Sequence, residues 1–327
     1  MNTSQKEFYN IKSNYDFENM CFKLLETHYN SNPVYRSYCD LINKPISTIN
    51  SLNEIPFLPI SFFKTHKVKI FSEKPKVIFK SSRTTNINPS KHYIKNIFNY
   101  EKSFLNSFKL FYGDPKEWVI LSLLPGYSKA ESSLIYMISK LVNKTNSKIS
   151  GFYLNNYRNL YNTIIELEEK KQKTILIGVS FALLDFIEKN KMKLKKTIVM
   201  ETGGMKGQKK ELIRSELHEK LCDGFGVKKI HSEYGMTELL SQAYSKKNGL
   251  FKCPPWMKVF TRDINDPLSI NTSEKTGGLN IIDLANQDSC PFIATEDLGK
   301  AYGNKLFEVL GRFDQAEIRG CNLMMFN

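Results

Sequence analysis

Ile230-His231-Ser232-Glu233-Tyr234-Gly235-Met236-Thr237-Glu238 puts an aromatic hydroxyl, a glycine, a threonine and a carboxylate in short order after an apolar, strand-like run. Tyr234 offers a flat ring for a base. Gly235 lets backbone come close to a ligand. Thr237 can hydrogen-bond a phosphate oxygen, and Glu238 can help hold a Mg²⁺ ion. Such a set can place a nucleotide triphosphate beside a second substrate. The same order also reads as a strand, a turn and a capped helix.

Upstream of this stretch, apolar runs alternate with helical patterns. Trp118 to Leu124, Thr174 to Val179 and Thr197 to Met200 read as buried strands, and Val227 to Ile230 as a short fourth. Ala130 to Val142, Asn156 to Lys171, Phe181 to Glu188 and Gln208 to Cys222 carry apolar residues at helical spacing. Continuous apolar strands alternating with helices imply an α/β fold with a mostly parallel sheet covered by helices on both faces. Ligands of such sheets sit beyond the carboxyl ends of the strands. Gly203-Gly204 and Ser232 to Glu238 both fall at such ends. Residues 1–76 are expected to form a helical segment packed on the main domain, and residues 77–248 the nucleotide-binding core. In the helical segment Phe17 to Tyr29 has helical spacing, while proline-punctuated Ile55 to Ile60 cannot be a central strand. Residues 249–327, with strand-like pieces such as Gly278 to Leu284 between turns, are expected to form a small antiparallel β subdomain that ends in a hinge and tail.

The chain has 327 residues, 41% hydrophobic and 24% charged, as in an ordinary globular protein. No apolar run is long enough to span a bilayer, so no stable membrane insertion is expected. The polar start, Met1 to Lys6, carries no apolar signal core, and the six cysteines are scattered without a Cys-x-x-Cys pair. Structural zinc and a disulfide framework are not expected, and a reducing cytoplasm is the simplest setting. The net charge of +14 invites a nucleic-acid reading. However, the lysines are spread along the chain, and the densest runs, Glu169 to Lys173 and Lys189 to Lys196, fall where helices end before strands. These read as solvated helix ends, so the partners expected are anionic small molecules and not nucleic acid.

Four further segments carry chemistry. Phe79-Lys80-Ser81-Ser82-Arg83-Thr84-Thr85-Asn86 is a hydroxyl-rich loop able to wrap phosphates with side-chain and backbone donors, or a polar surface loop. Gly203-Gly204 ends a strand before a helix. Asp297, in Ile293 to Gly299, can accept from ribose hydroxyls or form an Asx turn. Leu310 to Gly320 contains Gly311-Arg312-Phe313-Asp314. With the opening stretch, these segments resemble, in order, motifs of the adenylate-forming superfamily of acyl-CoA synthetases, luciferases and peptide-synthetase adenylation domains. Tyr234 to Glu238 resembles its Tyr-Gly-x-Thr-Glu core, and Ser81 to Asn86 its Ser-Ser-Gly-Thr-Thr-Gly phosphate loop. Arg83 and Asn86 replace the two glycines of that loop. Arg at a glycine position costs about 1–2 kcal/mol where φ is positive. It would supply charge there or obstruct the pocket. Gly203-Gly204 resembles the adenine-pocket segment, Thr295-Glu296-Asp297 the Thr-Gly-Asp segment with Glu296 for Gly, and Gly311 to Asp314 the Gly-Arg-x-Asp hinge.

Within the superfamily, the Pro89-Ser90-Lys91-His92 segment and Arg319-Gly320-Cys321-Asn322-Leu323 resemble the acyl-protein synthetase of bacterial bioluminescence and its phenylacetate-CoA-ligase-like relatives. The resemblance implies the large N-terminal adenylate-forming domain without the small C-terminal domain. It implies that a fatty acid is activated by ATP and Mg²⁺ as acyl-AMP and transferred to Cys321, from which a fatty-acyl reductase partner takes it. Nucleotide contacts are implied for Ser81, Ser82, Arg83, Thr84, Thr85, Gly203, Gly204, Ser232, Tyr234, Gly235, Thr237, Asp297 and Arg312, with Glu238 at the metal. His231 could polarise the carboxylate or line its pocket, or be a hydrogen-bonded strand-end histidine. Cys321 is an acyl carrier or an inert thiol. Arg319 nearby could favour the thiolate. Two alternatives stand beside this reading: coenzyme A as acceptor, in an acyl-CoA ligase, and a weakly catalytic subunit that binds acyl groups or nucleotide and docks the reductase.

Overall fold

Ser13 opens the first long helix, α1 (Asn14–Ser31), through a capping box: its hydroxyl accepts from Asp16 N at 3.1 Å, and the Asp16 carboxylate accepts from Ser13 N at 3.0 Å. Phe17, Met20, Cys21, Leu24, Leu25 and His28 form its buried stripe. The computed structural model describes residues 8–81, 88–124, 131–154, 156–203, 212–303 and 305–313. After α1 come α2 (Pro33–Leu41), the two-residue strand β1 (Leu58–Pro59), the single turn α3 (Phe62–Thr65) and an antiparallel hairpin of β2 (Val77–Lys80) and β3 (Lys91–Ile94).

The α/β section then runs through α4 (Ile97–Tyr112), β4 (Val119–Leu123), α5 (Ser133–Lys144), β5 (Gly151–Phe152), α6 (Tyr157–Glu169), β6 (Thr174–Val179), α7 (Ser180–Lys189), β7 (Thr197–Thr202), α8 (Arg214–Phe225) and β8 (His231–Tyr234). Strands β4 to β8 pair in parallel, in the order β5-β4-β6-β7-β8. Their side chains alternate between two cores. Ile120, Ile175, Ile177 and Met200 face α4 and α5, while Val119, Leu121, Leu176 and Val199 face α6, α7 and α8. A sheet buried on both faces needs this near-continuous apolar sequence.

The sheet continues without a break through antiparallel β9 (Ala243–Ser245) and β10 (Leu250–Lys252) to β14 (Leu306–Arg312), β13 (Phe292–Tyr302), β12 (Thr276–Asp283) and β11 (Met257–Arg262). The antiparallel part after residue 249 is therefore continuous with the parallel part in one twelve-stranded sheet. β1 joins at the margin, in parallel with β13 alone, where Pro59 needs no ladder donor. The segment before residue 77 packs on this antiparallel half: Asn32 donates to Ser289 O at 2.8 Å, and Lys258 lies over the Phe17 ring.

Two expectations need correction. The strand expected at Val227 to Ile230 is instead His231–Tyr234, the opening half of the motif itself. Gly226 ends α8 with φ +63, and Val227 N turns back to Cys222 O, so residues 227–230 carry the chain out of the helix before pairing begins at Met200↔His231. No helix follows Tyr234; residues 235–242 form a turn-rich crossing into β9. The lysine-rich runs lie at the exits of α6 and α7, as expected, with Lys170 paired to Glu166, Lys173 to Glu117 and Lys191 to Asp223 at the surface. No helix of the described residues is long and apolar enough to cross a membrane.

Candidate active site

Strands β6, β7 and β8 end together. Val179 pairs with Thr202 and Thr202 with Glu233, so Ser180, Gly203 and Gly235 emerge at one edge of the sheet. Gly203 turns away from β7 with φ +70, a conformation costly for any other residue, and the Ser180 hydroxyl donates to its carbonyl at 3.0 Å. Gly204 lies outside the described residues, as do Ser82, Arg83, Thr84, Thr85, Asp314 and Cys321. Ser81 closes the neck of the β2–β3 hairpin: its hydroxyl accepts from Ser90 N at 3.0 Å.

Alternation along β8 sends successive motif residues to opposite faces. His231 is buried at the start of the strand, with Nδ1 3.1 Å from the Tyr112 hydroxyl. Burial, helped by Lys229 and Lys246, lowers it to about 4, so the ring is neutral at pH 7. It lies about 10 Å along the strand from Tyr234, by the rise of three residues. Ser232 faces α8, where its hydroxyl is 3.3 Å from His218 Nε2. There Glu201 is buried in an ion pair with Arg214 and 3.5 Å from His218. Burial alone would raise Glu201, but Arg214 and His218 hold it below the usual carboxylate range.

Glu233 points the other way and accepts the Thr202 hydroxyl. Burial pushes its carboxyl up to about 7; the Thr202 bond opposes this and the nearby Glu201 charge adds to it. A Cβ at Gly235 would stand 2.7 Å from Glu233 Oε1, so any larger residue there would push the Glu233 carboxyl aside. Below this corner Phe108, Ile120, Met137, Ile177, Met200 and Tyr244 line a narrow apolar gap between α4, α5 and the sheet. Tyr234 donates its hydroxyl to Asp297 Oδ2 at 2.7 Å, and its ring packs against Phe251 and Phe307. Asp297 pairs in register with Arg312, whose guanidinium is 2.5 Å from Glu296.

Past Tyr234 the chain is exposed at Gly235, leaves Met236 and Thr237 partly open and then buries Glu238. A polar cradle holds this crossing. Asn286 Nδ2 donates to Glu238 O at 2.7 Å, and buried Asp283 accepts from Leu240 N, Ser241 N and the Ser241 hydroxyl at 2.8, 2.9 and 2.5 Å. His92, on β3, meets Thr237 O at 2.8 Å. The structure thus gathers Gly203, Tyr234, Gly235, Thr237, Glu238, Asp297 and Arg312 around the ends of β7 and β8. His231 and Ser232 stand apart from them. Sequence reading gave no role to Glu233, His92, Asp283 and Asn286, although Glu233 stands in the opening stretch and His92 in the Pro89 to His92 segment.

Among the described residues no group of three or more His, Cys, Asp and Glu side chains could hold a metal. Glu238 offers a single carboxylate, which fits an ion held chiefly by nucleotide phosphates and water, as Mg²⁺ is.

The family profile of LuxE, the acyl-protein synthetase, matches residues 8–327. The chain belongs to the LuxE acyl-protein synthetase family. Among solved structures, 2-hydroxyisobutyryl-CoA ligase in the postadenylation state with 2-HIB-AMP superposes with a TM-score of 0.68 at 11% identity, covering 96% of this chain and 69% of that one. An open conformation of the same ligase with 2-HIB-AMP and CoA gives 0.65 at 12% identity, covering 92% and 70%. ATP-bound MatB from Rhodopseudomonas palustris gives 0.53 at 16%, covering 74% and 49%. At these identities the likeness is one of fold: this LuxE family member has the architecture of the adenylate-forming CoA ligases. No curated protein matches it by sequence.

Proposed function

We propose that the chain activates a long-chain fatty acid with ATP and passes the acyl group to the thiol of Cys321. The observation that carries the reading is the convergence of Tyr234, Asp297 and the open Gly235–Thr237 turn at the carboxyl ends of β7 and β8, in a member of the acyl-protein synthetase family. Asp297 takes the ribose hydroxyls, Gly203 and Tyr234 border the base, Thr237 and Ser81 to Thr85 meet phosphate, and Arg312 exchanges Glu296 for the nucleotide. Glu238 would help hold Mg²⁺, which when bound would supply neutralising charge at the departing pyrophosphate. The fatty carboxylate oxygen bonds to the α-phosphorus as the bond to pyrophosphate breaks. The Cys321 thiolate then attacks the acyl carbonyl and releases AMP. His231 serves as a neutral wall of the acid's pocket.

The other five cysteines support Cys321 as acceptor. Burial raises the thiols of Cys21, Cys39, Cys222, Cys253 and Cys290 away from the reactive thiolate. A fatty-acyl reductase is then the partner that removes the acyl group. A second reading, with coenzyme A as acceptor, is favoured by the fold shared with a ligase that holds CoA. ATP–pyrophosphate exchange with a series of fatty acids, followed by addition of CoA, tests both readings. Exchange that depends on the acid supports activation, and acyl-CoA as the sole thioester product transfers the acceptor role to CoA.

A further inference from the structure

His92 is buried, and both ring nitrogens are engaged by groups far away in sequence. Nδ1 lies 2.8 Å from the Thr237 carbonyl and Nε2 2.8 Å from the Ser289 hydroxyl. A carbonyl only accepts, so Nδ1 carries the proton. Burial lowers the ring to about 4, leaving Nε2 unprotonated at neutral pH and ready to accept from Ser289. The Ser289 hydroxyl is also 3.0 Å from Asn286 Oδ1, which can only accept, so the single Ser289 proton goes to Nε2 or to Oδ1 in turn; Asn286 is fixed in orientation because its Nδ2 donates to Glu238 O and Cys290 O. The ring edge of Phe63 closes the remaining side. One side chain of β3 therefore joins the hairpin of β2 and β3 to the carbonyl of Thr237, and through Ser289 and Asn286 to the carbonyl of Glu238.

We propose that His92 is a positioning residue that fixes the β2–β3 hairpin against the Thr237–Glu238 backbone, so that these two side chains are held in place for ATP. This rests on the function proposed above only for its kinetic consequence; the geometric claim stands on the hydrogen bonds. A carbonyl released from a buried donor turns toward another, and such a turn at Thr237 displaces its hydroxyl and the next carboxyl together. The fatty acid does not depend on either group, so the effect separates the two substrates.

The test compares His92→Phe, which keeps the ring and loses both bonds, with His92→Asn, whose amide reaches the Nδ1 position, and with the milder Ser289→Ala. Hydrogen exchange of the intact protein, followed over residues 235–242, reports the backbone without any need for activity. Faster exchange there in His92→Phe and Ser289→Ala, with partial restoration in His92→Asn, is expected. In the adenylation assay the KM for MgATP should rise about tenfold in His92→Phe, the equivalent of one hydrogen bond, while the KM for the acid holds. Unchanged exchange and unchanged KM for MgATP in a folded His92→Phe or Ser289→Ala protein would overturn the proposal. If the wild type forms no acyl adenylate, the function reading fails, and the exchange measurement alone decides the role of His92.

Discussion

Replacing Glu233 by Gln removes a buried acid from the corner where β7 and β8 end. In the folded protein its carboxyl titrates at about 7, against an ordinary value of 4.5. Below pH 4.5 the group is protonated in both states and does not disfavour folding. Between 4.5 and 7 the unfolded chain releases the proton while the folded one keeps it, so stability falls as pH rises. The span, 7 − 4.5 = 2.5 units, corresponds to about 3 kcal/mol lost by pH 8. Gln keeps an acceptor for the Thr202 hydroxyl and does not titrate. Its amide leaves a buried NH₂ in need of a partner, which costs about 1–3 kcal/mol at every pH. The constant offset cancels when the two proteins are compared across pH. Urea unfolding of wild type and Glu233→Gln at pH 5, 6, 7 and 8 should therefore show the variant gaining about 2.5 kcal/mol relative to wild type from the lowest to the highest pH, the rest having been lost below pH 5. Other titrating groups, such as buried His92 and His231, are common to both curves. Two curves that run parallel would refute the argument, and Glu233 would then be ionised within the fold, held by contacts stronger than its burial.

Other outcomes follow from the same geometry. Glu238→Gln should lower Mg²⁺-dependent adenylate formation about a hundredfold, measured as pyrophosphate release. His231→Phe should leave adenylation within about threefold of wild type, since the ring packs on Tyr112 away from the strand end. The same variant should soften acid unfolding: a folded value near 4 against 6.5 gives stability present above pH 6.5 that is lost as pH falls through 4. Melts from pH 7 to pH 4 measure it.

The parallel half of the sheet was legible because β4, β6 and β7 are buried on both faces and carry unbroken apolar runs, such as Thr174 to Val179. Strand β8 was not, because His231-Ser232-Glu233-Tyr234 is polar, and its burial is satisfied by Tyr112, His218, Thr202 and Asp297 from distant parts of the chain. Helix α4 escaped notice for a related reason. Its buried stripe of Tyr100, Phe104 and Phe108 is interleaved with Ser103 and Ser107, so its apolar period is diluted. The candidate site was readable as an order of short motifs, which found Tyr234 and Asp297 but not the bond between them. Of the cradle, only His92 fell in a segment singled out in the sequence; Asp283, Asn286 and Ser289 left no local trace, since each is a single polar residue whose partners are fixed only by the fold.

The central claim is that this chain makes an acyl adenylate and moves the acyl group onto its own thiol at Cys321. Purified wild type and Cys321→Ser, each given radiolabelled long-chain fatty acid with MgATP, test it most directly when acyl-AMP and hydroxylamine-sensitive label on the protein are measured side by side. The account predicts acyl-AMP from both proteins and protein-bound label from the wild type alone. It is contradicted if neither protein forms acyl-AMP, or if the Cys321→Ser protein carries as much hydroxylamine-sensitive label as the wild type.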